Sequence, residues 1–424
     1  MLDISWLRAH TDLAKERLLK RNKYPLTLID DLLTLDDSRK RLQTELDNTL
    51  AETNATSKEI GKLMGQGQRD AAEAMKQQVA ALKVRSTELE QEHTRIQEEI
   101  KNILLGIPNL PQTLVPQGKD AADNIEVRKG GAHPVFSFSP LPHWELAAKY
   151  KLIDFELGNK ITGAGFPVYL GKGARLQRAL IQFFLDRAAA AGYTEVIPPV
   201  MVTADSGYGT GQLPDKEGQM YHAGVDDFYL IPTAEVPVTN IYRDTIVKED
   251  ELPIRLTAYS PCFRREAGSY GKDVRGLNRL HQFDKVEIVE IAHPSQSDAR
   301  LEQMVQHVEG LVQALGLPYR ILRLCGGDMG FASAITYDFE VWSGAQERWL
   351  EVSSVSNFET FQANRMKCRY KDNSDGKNKL VHTLNGSALA LPRIVAALLE
   401  NNQTENSITI PQVLVPYTGF DRID

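Results

Sequence analysis

Residues 259–291 hold side chains whose chemistry suits a nucleotide. The stretch reads YSPCFRREAGSYGKDVRGLNRLHQFDKVEIVEI and combines arginine, glutamate, lysine and phenylalanine. Arginine presents a rigid fork of donors that matches a phosphate or a carboxylate through two hydrogen bonds. A phenylalanine ring can stack on a purine, and a carboxylate accepts hydrogen bonds from an ammonium or hydroxyl group. This set of side chains therefore fits a nucleoside triphosphate together with a small zwitterion.

The same stretch predicts the hairpin that would hold these residues. Two runs with period-2 character flank a polar loop, which is typical of antiparallel strands. Because successive side chains of a strand point to opposite faces, one face collects Cys262, Arg264 and Glu266, and then His281, Phe283, Lys285 and Glu287. The opposite face carries Val286 and Ile288, and the loop adds basic residues that could close over phosphates, namely Lys272, Arg275 and Arg279. Composition alone also fits a solvated hairpin with surface ion pairs, which are common and weak.

Two other segments add polar groups near predicted strands. The predicted strand Phe228–Val238 bears Thr233 and Glu235 on one face. Glu351 and Ser354 follow an aromatic strand start, and a carboxylate beside a hydroxyl suits Mg²⁺, which prefers oxygen ligands. Strict alternation puts Glu351 and Ser354 on opposite faces, so we expect that strand to bend or bulge. An ordinary edge-strand glutamate is the competing interpretation.

The remaining pattern indicates a helical arm followed by an α/β region. From about Asp36, apolar and small residues recur every three or four positions in two helices joined by a turn at residues 65–68, which predicts an antiparallel coiled-coil hairpin. Residues 105–131 are rich in proline, glycine and polar residues and read as a linker. Further along, the pattern predicts a helix over 176–191 and another over 301–315. It predicts strands over 335–342, 349–356 and 380–385, the last of which enters a helix at about Pro392.

Composition bounds the class of protein. The chain has 424 residues, which predicts two or more domains. Its net charge of −7 gives no overall electrostatic case for nucleic-acid binding, so any RNA contact would use local basic patches. Three widely spaced cysteines fit a reduced cytosol. The longest apolar run, over 389–399, is too short for a membrane span, and the amphipathic N-terminus is not a secretory signal.

Several motifs resemble those of one enzyme family. Residues 263–287, from Phe263-Arg264-Arg265-Glu266 to Glu287, resemble motif 2 of the class II aminoacyl-tRNA synthetases. Their sequence is similar to that of the bacterial seryl-tRNA synthetases. The helix, Gly192, short strand and proline that follow Leu176 resemble motif 1, which builds the dimer interface in that family. Residues 384–393 resemble motif 3, although Leu391-Pro392 stands where the family often has smaller residues.

The resemblance implies an α+β fold: a class II synthetase-like antiparallel sheet flanked by helices, with an N-terminal antiparallel helical coiled-coil arm. It implies a tRNA-binding domain over 1–105 with the hairpin at about 37–104, a linker over 106–130 and a catalytic domain over 131–424.

Site residues follow from the same resemblance. The implied serine-binding residues are Thr233, Ala234, Glu235, Glu287 and Ser387. The implied ATP-binding residues are Arg264, Arg265, Glu266, Phe283, Glu351, Val352, Ser353, Ser354 and Arg393, and the implied Mg²⁺ ligands are Glu351 and Ser354. The implied catalytic residues are Arg264, Arg275 and Arg393. A site built to hydrogen-bond the serine hydroxyl would reject alanine, and threonine would have to be rejected by size.

The implied function is activation of L-serine with ATP to seryl-adenylate and pyrophosphate, then transfer of serine to the 3′-hydroxyl of the terminal adenosine of tRNA(Ser). The enzyme is expected to be a cytoplasmic homodimer without a membrane association, and tRNA(Sec), where present, is a second expected substrate. The arm is expected to grip tRNA by its shape and backbone. Candidate contacts on the arm are Lys58, Lys62, Arg69, Lys76, Lys83 and Arg85.

Two other classes of function remain open at this point. A related enzyme could load an amino acid on a carrier protein, although a carrier needs no long RNA-gripping hairpin. A scaffold without catalysis could use the coiled coil for assembly, but Arg264, Glu266 and Arg393 are all retained.

Overall fold

The computed structural model describes residues 1–215, 218–266 and 275–424. Their contacts divide them into two compact units. The smaller unit comprises Leu2–Leu19 and Lys23–Pro108, and the larger one comprises Met1, Lys20–Asn22 and Asn109–Asp424. In the described part of the chain, no helix is both long enough and apolar enough to cross a membrane.

The smaller unit is helical. Its helices are α1 (Ile4–Ala9), α2 (Thr11–Leu19), α3 (Thr27–Gly65) and α4 (Arg69–Gly106). The predicted hairpin is confirmed, since α3 and α4 pack together on either side of the predicted turn. Cross-helix contacts join Glu45 to Arg85 and Glu52 to Gln78, as two antiparallel helices require.

Polar residues, among them Thr49 and Thr53, are buried in the seam between α3 and α4. The Thr53 hydroxyl donates to the Thr49 carbonyl at 2.7 Å, and the Thr49 hydroxyl donates to the Glu45 carbonyl at 2.8 Å. A threonine that bonds to its own helix can lie in an apolar seam at little cost. Helix α3 also starts earlier than the predicted Asp36, and the buried Asp36 carboxylate is surrounded by cations.

The larger unit contains the main sheet. Its helices are α5 (His143–Lys149), α6 (Phe155–Ile161), α7 (Gly171–Ala190), α8 (Ala204–Thr210), α9 (Glu235–Asn240), α10 (Ser297–Ala314), α11 (Phe361–Met366), α12 (Leu391–Asn401) and α13 (Val415–Thr418). Its strands are β1 (Ile125–Gly130), β2 (Ile153–Asp154), β3 (Val168–Tyr169), β4 (Thr194–Glu195), β5 (Met201–Val202), β6 (His222–Ala223), β7 (Phe228–Leu230), β8 (Ile246–Lys248), β9 (Ile254–Phe263), β10 (Gln282–Ala292), β11 (Tyr319–Arg323), β12 (Ile335–Ser343), β13 (Arg348–Asn357), β14 (Arg369–Lys371), β15 (Asn378–Leu380), β16 (His382–Ala390), β17 (Ile408–Thr409) and β18 (Arg422–Ile423).

Eight strands of the described residues form one sheet in the order β1-β11-β12-β13-β16-β10-β9-β4. Every pairing in it is antiparallel except the short edge pair β4–β9. Helices α7, α10 and α12 pack on this sheet through one apolar core, in which Phe184, Val308 and Ile394 contribute with Phe339 and Ile288 of the strands. The predicted α+β fold is confirmed.

The end of the predicted linker belongs to this sheet. Residues 125–130 form β1, which pairs with β11 at the sheet edge. Arg128 on β1 also forms ion pairs with Glu302 at 2.5 Å and Glu309 at 3.0 Å, both on α10. The proline-rich composition around this short strand hid it, because an edge strand needs only a few residues and one pairing partner.

Candidate active site

Strands β10 and β16 bring two of the predicted serine-binding residues together. Glu287 on β10 lies opposite Ser387 on β16 in the antiparallel register, and the Ser387 hydroxyl donates to Glu287 Oε2 at 3.5 Å. Both side chains are buried. On its other edge β10 pairs with β9, where Phe283 lies opposite Cys262, so the hairpin predicted over 259–291 is confirmed.

The strand predicted over 228–238 ends early, and beyond Leu230 that prediction was wrong. Strand β7 stops at Leu230 and α9 begins at Glu235. Ala234 already has helical backbone angles, φ −65° and ψ −18°, and the Thr233 hydroxyl accepts a hydrogen bond from Glu235 N at 3.3 Å. A threonine hydroxyl that satisfies a backbone N–H favours such a local turn over a continued strand. The turn still leaves all three residues buried.

A buried lysine links the two halves of this pocket. Lys285 Nζ donates to Thr233 Oγ1 at 2.6 Å and forms an ion pair with Glu287 Oε2 at 2.5 Å. Lys285 is 4% exposed, and a buried ammonium needs such partners because an unpaired charge is costly to desolvate. The alternation pattern put Lys285 on the face of Glu287 but assigned it no role, although their spacing of two residues on one strand indicated contact.

Gln362 of α11 binds the second carboxylate, Glu235. Its Nε2 donates to Glu235 Oε1 at 2.6 Å and to the Thr210 carbonyl at 3.1 Å. Its Oε1 accepts from the Thr383 hydroxyl at 2.7 Å, which fixes the orientation of the amide. Local sequence patterns could not indicate this contact, since Gln362 lies far along the chain from Glu235.

The electrostatics of the pocket distinguish Glu235. Burial, followed by repulsion from the Glu287 carboxylate, raises the pKa of Glu235 to about 7. The Gln362 amide, the Lys285 ammonium and the Asn385 side chain act in the opposite direction. Because a nearby cation favours the ionised form of a carboxyl group, an ammonium bound here would shift Glu235 toward its anion. Two carboxyl groups and two hydroxyl groups on buried side chains suit a small molecule that carries an ammonium and a hydroxyl.

Arg264 lies between this pocket and an aromatic ring. It follows directly after β9, and its backbone N–H donates to the His281 carbonyl at 2.9 Å. Its Nε donates to the Pro232 carbonyl at 3.3 Å, next to Thr233. Its Cζ lies 5.2 Å from the centroid of the Phe283 ring, a cation–π distance. Arg264 and Phe283, which were predicted to share one face of the hairpin, therefore lie next to each other.

Beyond Arg264 the strand pattern fails. Strand β9 ends at Phe263, and Glu266 has a left-handed backbone with φ +49°. The prediction that Glu266 continues the strand face of Arg264 was therefore wrong. Its carboxylate instead pairs with Arg279 at 2.8 Å, while Arg265 has an exposed side chain. Period-2 alternation holds only while the backbone stays extended.

The segment from Glu351 to Ser354 contains the bulge that was predicted. The register of β13 against β12 shifts by one residue at Val352, as in a β-bulge. The Val352 side chain is buried in the apolar core, and the Ser353 hydroxyl donates to the Ser387 carbonyl at 2.5 Å. These two residues therefore offer a ligand only their backbone, whereas the Glu351 side chain is exposed.

Asp338 of β12 joins Glu351 and Ser354 and was missed by sequence reasoning. It lies opposite Ser354 in the register. Its Oδ1 is buried and lacks a hydrogen-bond partner among the described residues. Burial, followed by repulsion from Glu351, raises the pKa of Asp338 above its ordinary range. Two carboxylates and a hydroxyl are ligands that a hard cation accepts, and its charge would relieve their repulsion.

A cation at this place would need further ligands. In the described ranges, no group of three or more His, Cys, Asp or Glu residues has a metal-binding arrangement. Mg²⁺ usually keeps several waters and takes substrate phosphates beside one or two carboxylates. The residues present therefore fit Mg²⁺ bound together with a nucleotide.

Arg393 lies in the first turn of α12, where Pro392 precedes it. Its Nε donates to the Asn278 carbonyl at 3.1 Å, and its Nη1 donates to the Glu351 carbonyl at 2.8 Å. The Glu351 Oε2 atom is 3.9 Å from the same Nη1. The structure thus brings the motif 3 arginine to the predicted metal ligand, Glu351, and to Asn278 of motif 2.

The three basic residues that were predicted to lie in the hairpin loop have different outcomes. Arg275 lies against the Trp144 ring, with its Cζ 4.9 Å from the ring centroid. Arg279 forms an ion pair with Glu266. Lys272, the third basic residue predicted to close over phosphates, lies outside the described residues.

Comparison with known proteins agrees with this geometry. Residues 220–402 match the model of the tRNA synthetase class II core domain (G, H, P, S and T), and residues 1–111 match the seryl-tRNA synthetase N-terminal domain. The chain is 52% identical to the serine–tRNA ligase of Salinibacter ruber, over 100% of this chain and 99% of that protein. It is 50% identical to that of Delftia acidovorans, over 99% and 98%.

The chain belongs to the seryl-tRNA synthetase family. It is accordingly an aminoacyl-tRNA synthetase, a ligase that activates serine with ATP and charges tRNA. Among solved structures, seryl-tRNA synthetase from Pyrococcus horikoshii complexed with ATP superposes with a TM-score of 0.94 at 35% identity, covering 100% of this chain and 99% of that one. The family membership predicted from motifs 1, 2 and 3 is confirmed.

Proposed function

We propose that the pocket around Glu235 and Glu287 selects L-serine. The observation that carries this proposal is the pair of buried carboxyl groups, each held by its own partner: Gln362 for Glu235 and Lys285 for Glu287. The serine ammonium would lie against these carboxyl groups. The serine hydroxyl would hydrogen-bond within the set formed by Thr233, Ser387 and the two acids.

This pocket would discriminate against the nearest analogues by two different physical means. Alanine lacks the hydroxyl and would leave buried polar groups unpaired, which is a strong penalty. Threonine adds a methyl group and would have to be excluded by the packed walls, in which Ala234 is fully buried. Rejection of threonine is therefore expected to depend on shape rather than on hydrogen bonds.

Arg264 is proposed to hold the two reactants of the first step. It lies next to the serine pocket through Pro232 and against Phe283 on its other side. The serine carboxylate oxygen would attack the α-phosphorus of ATP, forming the acyl-phosphate bond while the bond to the leaving pyrophosphate breaks. The arginine fork would bridge the carboxylate and the α-phosphate, and Phe283 with Glu266 would hold the adenine. This is catalysis by positioning and charge stabilisation.

Arg275 and Arg393 are proposed to bind the triphosphate, with Arg393 at the γ-phosphate. Mg²⁺ bound by Glu351 and Ser354, and assisted by Asp338, would neutralise phosphate charge. Among the other ATP-site candidates, Val352 and Ser353 would contribute backbone contacts only, and Arg265 would act from the exposed rim.

In the second step the 3′-hydroxyl of the terminal adenosine of tRNA(Ser) would attack the seryl carbonyl carbon, and AMP would leave. The arm at about 37–104 is proposed to grip this tRNA. All six candidate cations on it are exposed, and Arg69, Lys76 and Lys83 recur at intervals of seven residues, so they share one face of α4. Lys62, Lys76 and Arg85 already pair with glutamates, and RNA phosphates would have to compete with these pairs.

Organisation and location complete the proposal. The domain limits are proposed as 1–105, 106–130 and 131–424, with Mg²⁺-dependent catalysis in the last. A homodimer is proposed, supported by Ile197, which follows β4 with a side chain that is 91% exposed. A cytoplasmic location is supported by three cysteines that are all buried and free.

The test is ATP–pyrophosphate exchange with each of the twenty amino acids, followed by charging of purified tRNA(Ser), with tRNA(Sec) as a second acceptor. Exchange with serine alone, followed by charging, supports the assignments of pocket and arm. Exchange without charging would favour loading of a carrier protein. No exchange with any amino acid would overturn the proposed pocket.

A further inference from the structure

A buried hydrogen-bond network centred on Glu400 lies under the residues proposed to bind the triphosphate. Glu400 is in the last turn of α12 and fully buried. Its Oε1 accepts from His143 Nδ1 at 2.7 Å and from Gln346 Nε2 at 2.9 Å. Its Oε2 accepts from the Ser343 hydroxyl and from Ala345 N. Burial alone would raise the pKa of Glu400, but the His143 and Ser343 bonds outweigh it and the pKa lies below its ordinary value.

The partners of His143 determine its tautomer. Its Nε2 accepts a hydrogen bond from Leu277 N at 2.8 Å. A neutral imidazole has one donor and one acceptor nitrogen, so the proton resides on Nδ1 and is donated to Glu400. A ring protonated on both nitrogens would have no acceptor for the Leu277 N–H. Because Glu400 is a strong acceptor, it favours the tautomer with the proton on Nδ1, which leaves Nε2 as the acceptor.

Gly276 and Leu277 of motif 2 lie directly against the His143 ring. Gly276 has φ +69°, and a Cβ on it would lie 2.2 Å from His143 Nε2. The backbone can therefore approach the ring this closely only because residue 276 is glycine. Just before it, Arg275 lies on Trp144, the neighbour of His143.

The same network reaches the second arginine. Gln346, which donates to Glu400, accepts from Asn278 Nδ2 at 3.2 Å. Asn278 Nδ2 also donates to the Arg275 carbonyl at 3.0 Å, and the Asn278 carbonyl accepts from Arg393 Nε at 3.1 Å. One buried carboxylate thus fixes the backbone that carries Arg275 and the acceptor that orients Arg393.

We propose that His143 is a positioning residue for ATP: its Nε2, held as an acceptor by Glu400, anchors Leu277 and thereby sets Arg275 and Arg393 for the triphosphate. This inference rests on the triphosphate roles proposed above for Arg275 and Arg393. His143 itself is fully buried and would act only through these neighbours. Loss of His143 should therefore weaken ATP binding. The KM for serine should not change, because the serine pocket is formed by other residues.

A matched pair of variants isolates the acceptor nitrogen. Glutamine reaches as far as the Nε2 position of histidine and can accept from Leu277 N, whereas asparagine reaches only the Nδ1 position and can bond only Glu400. His143→Asn leaves a buried N–H unpaired and should raise the KM for ATP about tenfold in serine-dependent pyrophosphate exchange. His143→Gln should recover most of that loss, and the KM for serine should change less than about twofold in both.

Two further variants keep the test decisive. Gly276→Ala keeps every hydrogen-bonding group, but its Cβ would clash with the His143 ring and displace the backbone at residues 276 and 277. It should therefore also raise the KM for ATP selectively. If thermal melting shows that the His143 variants do not fold, Gly276→Ala alone tests the positioning role. Arg393→Ala tests the role on which the inference rests and should raise the KM for ATP.

The outcomes distinguish failure of the His143 positioning role from failure of the proposed triphosphate roles. If Arg393→Ala raises the KM for ATP but His143→Asn and Gly276→Ala do not, the positioning role is overturned and the proposed function stands. If both His143 variants lose ATP affinity to the same extent, or the KM for serine rises in parallel, His143 has only a general structural role. If Arg393→Ala leaves the KM for ATP unaltered, the triphosphate assignment fails and the inference fails with it.

Discussion

Lowering the pH from 8 to 6 should weaken serine binding through the titration of Glu235. The pKa of this carboxyl group is raised to about 7, first by burial and then by repulsion from Glu287. The groups that face it are Glu287, Lys285, Gln362 and Asn385. Serine brings an ammonium, so it binds the ionised carboxylate better than the neutral acid. The sign follows directly: acidification protonates Glu235 and raises the KM for serine.

The magnitude follows from the ionised fraction. With a pKa of about 7, roughly nine tenths of Glu235 is ionised at pH 8 and roughly one tenth at pH 6. If only the ionised form binds, the KM for serine rises about tenfold between these two pH values. Without the shift, the group would be almost fully ionised throughout, since an ordinary glutamate has a pKa of about 4.3. The ammonium of free serine stays charged across this range and adds no slope.

The assay is the KM for serine in pyrophosphate exchange at saturating ATP and Mg²⁺, measured at several pH values from 6 to 8. The matched control is Glu235→Gln, which keeps the size of the side chain and a polar group for Gln362 but cannot ionise. It should bind serine weakly, with a KM that varies little with pH. This comparison also removes slopes that arise from ATP or from other titrating groups.

Two results would refute the reasoning about Glu235. One is a KM for serine that stays constant in the unmodified enzyme from pH 8 to 6. The other is the same pH slope in Glu235→Gln, which would assign the titration to a different group.

Three further perturbations test other parts of the structure. Gln362→Leu removes the amide that binds Glu235 and should raise the KM for serine about tenfold with an unaltered KM for ATP in the same assay; a parallel rise in both would point to misfolding. Changing three arm lysines to glutamine, at Lys58, Lys62 and Lys76, should weaken tRNA charging and spare pyrophosphate exchange. The charge-matched control changes Lys119, Lys371 and Lys377. Unchanged charging in the arm variant would contradict the arm assignment. Ile197→Glu should shift the mass in light scattering from twice 47.4 kDa toward 47.4 kDa, and a single species at 47.4 kDa in the unmodified protein would refute the homodimer.

The sequence predicted those parts of the site that depend on regular backbone. The hairpin of β9 and β10 was found from alternation, and the shared face of Lys285 and Glu287 is present as an ion pair at 2.5 Å. A bend or bulge between Glu351 and Ser354 was predicted because these two residues, assigned to one ligand, stood on opposite faces of an ideal strand, and the structure has it at Val352. In these cases the period of the side chains is a property of neighbouring residues, so the sequence carries it.

The parts that were missed depend on contacts between distant segments. Gln362 reaches Glu235 from another helix, and Asp338 meets Ser354 across a strand pair. No local spacing encodes these pairs. Glu266 was misplaced for the opposite reason, because a local change to φ +49° ended the alternation that was extrapolated to it.

The two carboxyl groups of the pocket show why both kinds of contact are needed. Two like charges in one buried site repel each other, and a structure can reduce this cost by a counter-cation or by protonation. Glu287 has a permanent cation, Lys285, two residues away on its own strand. Glu235 is bonded by the neutral Gln362 amide rather than by a cation, so burial and the Glu287 charge raise its pKa. The incoming ammonium would supply the missing positive charge at Glu235, so the pocket is electrostatically complete only when an amino acid occupies it.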